Sequence, residues 1–241
     1  MALPARTSLR ELKTRHPDIF TPKLQRYHAR MARAYDNAQK HDGTGRNVLV
    51  LLHNTLSKHP QHARQILDLT DRELEQEPDV WPTLPFVGRM LSAHPQHARQ
   101  LLAIAKITLS KKQASWNALT PLCEMLAKHP RHARQLLAVT KKMLAREKDV
   151  WSTLITLRET LARHSQQAPQ ILRLTGKALG TSQDTRSILF TLREVLSEHN
   201  ARKVFRTAHA ALNANLDVPV NLNHLDYAPA RAPQTGTPRQ R

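Results

Sequence analysis

Apolar residues return at steps of three and four along most of this chain, and the block they form itself returns every 35 residues. Leu49, Leu84, Leu119, Leu154 and Leu189 open the stripe. Three residues on stand Leu52, Val87, Leu122, Leu157 and Leu192, and four further Leu56, Leu91, Leu126, Leu161 and Leu196. Such steps keep side chains on one face of a helix, so each block predicts an amphipathic helix, here helix A. A histidine closes it every time, at His59, His94, His129, His164 and His199. Pro60, Pro95 and Pro130 follow, and proline both stops one helix and suits the first turn of another. A second stripe then begins, Ala63, Ile66, Leu67, Thr70 and Leu74 in the first copy, and predicts helix B. Ala98, Leu101, Leu102, Ala105 and Leu109 repeat it, as do Ala133, Leu136, Leu137, Thr140 and Leu144. The joint between the helices reads HPQHARQ at 59–65 and 94–100, HPRHARQ at 129–135 and HSQQAPQ at 164–170. In the fifth copy HNARKVF fits once two residues are deleted, which puts Ala201 at the small position.

Two amphipathic helices joined by a tight turn cannot bury their apolar faces alone, whereas stacked hairpins share a continuous core. The pattern therefore predicts an α-solenoid of about five 35-residue helix-turn-helix repeats over residues 45–213. Residues 1–44 read as an N-terminal helical cap. Ser8 and Glu11 have capping-box spacing, Thr21-Pro22 offers an N-cap before a first-turn proline, and Leu24, Tyr27, Met31 and Tyr35 make an apolar side. Residues 214–241, with Pro219, Pro229, Pro233 and Pro238, read as a disordered, Pro-rich, basic tail.

Composition agrees with an all-α class. The chain has 6 glycines and 4% aromatic residues, and it is rich in straight-chain residues that lose little rotamer freedom in helices. Charge adds what the stripe does not: 37 Lys and Arg against 19 Asp and Glu give +18. An excess of that size repels itself in a compact state and points to an acidic partner, either nucleic acid or an acidic protein, with an anionic membrane surface as a weaker alternative. The single cysteine, Cys123, excludes an internal disulfide and reads as a small core residue. No apolar run approaches the ~20 residues that span a bilayer. The N-terminus lacks the apolar core of a secretory signal peptide, so a cytoplasmic location is the default expectation.

The charge has a preferred place. Arg99, Lys106, Arg134 and Lys141 fall outside the apolar stripe of helix B on one face, with Arg173 nearby in the fourth repeat. A row of this kind can track a phosphate backbone. The first repeat instead carries Asp68, Asp71 and Glu75, and Arg64 is spaced to pair with Asp68. Asn117 and Ser152 open their helices A and are placed to reach a ligand beside that row. The Trp81, Trp116 and Trp151 column lies three residues before a stripe leucine and is expected to pack between hairpins. The His59/His62, His94/His97 and His129/His132 pairs supply two imidazoles each, short of the three or four ligands of a zinc site. Turn packing explains them more simply, and as a row they could add charge below pH ~6.5. No metal, cofactor or catalytic motif emerges: GxxxxGK[ST], GxSxG, HExxH and the Rossmann glycines are all missing from the sequence.

The interval, the hairpin lengths and the DVW openings at 79–81 and 149–151 resemble pentatricopeptide repeats. That resemblance implies a right-handed stack that reads single-stranded RNA, generally in organelles. It also implies that Asp79, Asp149 and Asp184 stand near the family's last base-selecting position. His-Pro replaces the usual glycine-containing turn, so no base code carries over. NTLSKHP at 54–60 is similar to the SKWP repeats of type III secreted effectors of plant-pathogenic bacteria, matching at Ser57, Lys58 and Pro60. That likeness implies a translocated scaffold that grips a host protein.

Overall fold

A computed structural model of the chain describes residues 14, 26, 29, 30, 32–34, 52, 55–74, 84–110, 115–146 and 149–227. Every regular element among them is helical. Residues 55–58 are helical and lead into α1 (Ala63–Leu74). There follow α2 (Leu84–Ala93), α3 (Ala98–Ser110), α4 (Ser115–Lys128) and α5 (Ala133–Arg146). Next come α6 (Val150–Arg163), α7 (Ala168–Ala178), α8 (Thr185–Glu198), α9 (Ala201–Asn213) and the short α10 (Val218–Asn223). The chain divides into two compact units, Met1–Arg158 and Glu159–Arg241, with the boundary inside α6. Most of the expected N-terminal cap, residues 1–44, lies outside the described residues.

The histidine turn is the same object four times. His59, His94, His129 and His164 take φ between −136° and −125° and ψ between 52° and 58°. Each donates its backbone N–H to the carbonyl four residues back, on Thr55, Met90, Met125 and Thr160, at 2.8–3.0 Å. Each carbonyl then accepts from the N–H three residues on, at His62, His97, His132 and Gln167, so one 3-10 turn separates the helices. Proline fits the first place of that turn because no donor is needed there. Ser165 holds the same geometry without it, so the turn does not require the ring. Ala63, Ala98, Ala133 and Ala168 come next and are buried, 0–3% exposed, where the paired helices cross. The fifth joint lacks the 3-10 turn. Asn200 caps α9 instead, its side chain accepting from the Arg202 N–H at 3.0 Å, which accounts for the two missing residues.

In Met1–Arg158, helices alternate partners: α2 and α4 pack together, as do α1 with α3 and α3 with α5, while α2–α3 and α4–α5 form the hairpins. The core is the expected stripe, Leu52, Leu56, Val87, Leu91, Leu119, Leu122, Leu126, Leu154 and Leu157 on the A side. It is wider than the sequence pattern, because Thr55, Met90 and Met125 are buried as well. Gly88 lets α2 approach closely: a Cβ there would stand 2.9 Å from Thr55 Oγ1. In Glu159–Arg241, α7, α8 and α9 pack against one another over Leu161, Ile171, Leu172, Leu189, Leu192, Val204 and Phe205. Buried threonines sit in both units, and Thr70, Thr108 and Thr175 return their hydroxyls to the carbonyl four residues back. Thr140 Oγ1 is buried with no hydrogen-bond partner.

The tail expected from residue 214 does not begin there. Leu216 N–H donates to Ala211 O at 2.8 Å and Asn215 N–H to Leu212 O at 3.3 Å, a Schellman closure of α9 with Asn215 at φ 55°. Asparagine tolerates that left-handed backbone, which is why no glycine announced the turn. Asp217 then caps α10, accepting from the Val220 N–H at 2.9 Å. The helix packs on α8 and α9 and buries Val218, Leu222 and, just beyond it, Leu225. Each such side chain contributes about 1.5–3 kcal/mol relative to exposure, enough to hold so short an element. Gln183 clasps its start through Leu216 O at 2.7 Å and Val218 N–H at 3.2 Å, and Lys203 reaches Leu225 O at 3.2 Å. Residues 228–241 lie outside the described residues.

At two of the turn histidines, burial disfavours the protonated imidazole. Burial, then His62 and Lys58, lower the His59 pKa below its ordinary value, and burial, then His132 and Lys128, do the same at His129. The unfolded chain therefore takes up protons near pH ~6.5 that the folded chain refuses. Stability is full above that pH and falls as the pH drops from there through the lowered folded values. Thermal unfolding followed by circular dichroism should show a lower Tm at pH 5.5 than at pH 7.5, and the double variant H59Q/H129Q should narrow the difference; an unchanged difference would contradict the assignment. Thr140→Val, which removes the orphaned hydroxyl at constant shape, should raise stability by about 1 kcal/mol in urea unfolding, whereas Thr175→Val should not.

Candidate nucleic-acid interface

Helices α3 and α5 lie side by side and carry the first four predicted cations. Arg99 and Arg134 stand in their first turns, Lys106 and Lys141 two turns on, and all four are exposed. Seven residues of helix span about 10 Å and neighbouring helices lie about 8–10 Å apart, so the four make a roughly square grid. None has a hydrogen-bond or ion-pair partner among the described residues. Arg173 is exposed too, on α7 in Glu159–Arg241.

What singles out the later B helices, in each unit taken by itself, is the absence of acid within them. None of α3, α5, α7 and α9 contains an aspartate or glutamate. The acids of the later repeats sit on the A helices, where arginines from the next repeat take them up. Arg158 Nη1 reaches Glu124 Oε2 at 3.0 Å, and Arg193 bonds Glu159 one repeat on. Arg193 Nε also meets Glu194 at 2.9 Å and Arg163 Nη1 meets it at 3.2 Å. Hydrogen bonding to Arg193, with help from Arg163, holds the Glu194 carboxyl below the usual carboxylate range. The A-helix acids Glu124, Glu159 and Glu194 are thus paired, and α3, α5, α7 and α9 carry no compensating acid of their own.

Two acids of the first repeat are met by Arg30, which lies outside the repeats. Arg30 Nη2 meets Asp68 Oδ1 at 2.6 Å and Arg30 Nε meets Asp71 Oδ2 at 2.9 Å. Asp68 therefore pairs with Arg30, not with Arg64 as its spacing predicts. Asp71 occupies the place of Lys106 and Lys141 in the repeat, so Arg30 returns a guanidinium to the position where the row changes sign. Nothing local marks this contact, since its partners are 38 and 41 residues apart.

The predicted polar openings fare differently. The side chain of Asn117 lies outside the described residues, as do those of Trp81 and Trp116. Ser152 is half-buried at the start of α6, away from the α3–α5 pair in sequence order and on the other kind of helix; its N–H donates to Asp149 Oδ1 at 3.0 Å and its carbonyl accepts from Thr156 Oγ1 at 2.9 Å. Asp184 behaves as Asp149 does, accepting from the Arg186 N–H at 3.0 Å and from the Ser187 hydroxyl. Both carboxylates are thus engaged as helix N-caps, and Asp79 lies outside the described residues. Trp151 is 47% exposed, not packed between hairpins. The buried face of α6 starts one residue earlier, at Val150, and runs through Leu154, Leu157 and Leu161; a single residue turns a helix by about 100°, which carries the indole off the core.

Cys123 is half-buried, and burial pushes its thiol pKa up. Among the described residues no three His, Cys, Asp or Glu side chains come together to hold a metal ion, and no helix is long and apolar enough to cross a membrane. Comparison with known proteins returns no matching family model, curated protein or solved structure. If Asp149 and Asp184 serve as caps, Asp149→Ala and Asp184→Ala should each lower unfolding stability by about 1 kcal/mol in urea titrations. Neither should change the base preference of a bound oligonucleotide; a changed preference would make them readers instead.

Proposed function

We propose that the chain is a non-enzymatic, right-handed α-solenoid of about five 35-residue hairpins that binds RNA or another nucleic acid along its B helices. The observation that carries this reading is the segregation of charge in the later repeats: Glu124, Glu159 and Glu194 on the A helices are paired with arginine, while α3, α5, α7 and α9 contain no acid and Arg99, Lys106, Arg134 and Lys141 stand exposed. An unpaired cation on a solvated helix gains little by itself, but a row at one spacing gains by releasing the counterions condensed on a polyanion. Arg99, Lys106, Arg134 and Lys141 supply that row in Met1–Arg158, and Arg173 supplies its counterpart in Glu159–Arg241. The 35-residue period and its likeness to pentatricopeptide repeats favour single-stranded RNA. Base preference on this reading comes from helix-A openings such as Asn117 and Ser152.

Fluorescence anisotropy with a labelled single-stranded RNA, repeated over a range of salt, tests the proposal. Log affinity should fall linearly with log salt, by about 0.7 for each phosphate neutralised on a single strand. R99E/R134E should abolish binding at physiological salt while leaving the helical circular-dichroism spectrum unchanged. Binding unaffected by that reversal would refute this surface. No retention of polynucleotide at moderate salt would favour an acidic protein as the partner, with the same face gripping carboxylates.

A further inference from the structure

The cations of α7 and α9 are arranged differently from those of α3 and α5. On α3 Arg99 and Lys106, and on α5 Arg134 and Lys141, stand seven residues apart, strung along the helix so that each can meet a separate phosphodiester; α5 adds Lys142 and Arg146 near its end, but α3 beside it has no second cation there to close a cluster. On α7 Arg173 and Lys177 are four residues apart, and on α9 Arg206 and His209 are three apart. Both spacings put the paired side chains over one turn of the same face. The two helices pack against each other, and once the two-residue deletion is allowed for, Arg206 takes the repeat position of Arg173. Neither helix supplies a carboxylate; Lys177 Nζ donates to the side-chain amide oxygen of Asn213, a neutral acceptor that leaves its charge uncompensated. Arg173 and Arg206 are exposed, and Lys177 and His209 are half-buried, so the cluster opens to solvent above a partly desolvated floor.

From this geometry we infer that Arg173, Lys177, Arg206 and His209 form a site for a compact phosphate dianion, a phosphomonoester group, distinct in kind from the extended track on α3 and α5. A phosphodiester carries one charge and is served by one cation. A monoester carries nearly two and three strong acceptor oxygens, and it calls for several donors within one turn of helix. The cluster is also crowded in the absence of an anion: burial, then Lys177 and Arg173, lower the pKa of His209, so a bound dianion relieves repulsion as well as adding bonds. The group could be the terminal phosphate of a polynucleotide, which rests on the nucleic-acid reading above, or a free phosphate ester, which does not.

The test uses the full chain, with the His209 imidazole followed by proton–nitrogen NMR and assigned with His209→Gln. Inorganic pyrophosphate should raise the His209 pKa by about one unit, and sodium chloride at matched ionic strength should not. Arg206→Gln, a change at an exposed position, should remove that response. Failure of pyrophosphate to move His209 overturns the site, whatever the chain does with RNA. A second arm identifies the source. A 5′-phosphorylated RNA that binds about tenfold tighter than its 5′-hydroxyl twin, with the preference lost in Arg206→Gln and kept in Lys106→Glu, assigns the site to a strand end. Equal binding of the two strands beside a pyrophosphate response assigns it to a free ester. Should neither strand bind, the nucleic-acid reading fails, and the pyrophosphate response alone decides this site.

Discussion

A helix hairpin closed by a three-residue turn has two apolar stripes and only its own partner to cover them, so each hairpin depends on its neighbours. Here the dependence is met like on like: α2 on α4, α1 on α3 and α3 on α5, with the cross-links of each hairpin at the alanine crossing. The histidine turn makes such packing repeatable. Because His59, His94, His129 and His164 hold one backbone geometry within about ten degrees, the second helix leaves the first at a constant angle. Its stripe then arrives in register with the next copy. The ring adds a tie between copies. His164 Nε2 donates to Arg193 O at 2.8 Å, and His59 Nε2 approaches Ser92 Oγ at 3.5 Å, each reaching into helix A of the following repeat. The His59 ring is buried where it makes this approach, and that burial lowers its pKa.

The same register organises charge. A glutamate that recurs at one place on helix A, as Glu124 and Glu159, meets an arginine 34 residues later, Arg158 and Arg193. Pairs exposed to this degree are worth little in stability, roughly 0–1 kcal/mol each. Their larger effect is electrostatic: they use up the acid of the later repeats on one face. The later B helices, α3, α5, α7 and α9, keep an excess of positive charge with no acid of their own. Repulsion there is tolerable because cations about 8–10 Å apart in solvent stand near one screening length at physiological salt. A polyanion that replaces the counterion cloud meets a surface already laid out for it.

Glu159–Arg241 departs from strict repetition in two places, and both have local causes. A side-chain cap, Asn200, replaces the 3-10 turn. Asn215 then ends α9 in a Schellman closure that aims the chain back across α8 and α9, where α10 covers apolar surface. The proline at 219 is compatible with that helix because it stands in the first turn, after the Asp217 cap.

The sequence by itself determined the helical class, the 35-residue interval, the leucine stripes and the place of the turn. These rest on residues three, four or a few positions apart, where backbone geometry alone fixes who shares a face. It also placed Arg99, Lys106, Arg134, Lys141 and Arg173 in the open, since a cation between apolar stripes has nowhere else to go. Only the tertiary structure decided the rest. The burial of Thr55, Met90 and Met125 was hidden because their column mixes residue types, and only the neighbouring helix makes it core. Exposure of Trp151 turned on a one-residue phase at a helix start, below the resolution of a periodic pattern. The Arg30 clasp, the histidine ties and the Glu–Arg ladder join residues about 30 or more positions apart, and the docking of α10 joins residues 22 and 35 apart at Lys203–Leu225 and Gln183–Val218. Their energies depend on distances in space that no spacing along the chain encodes.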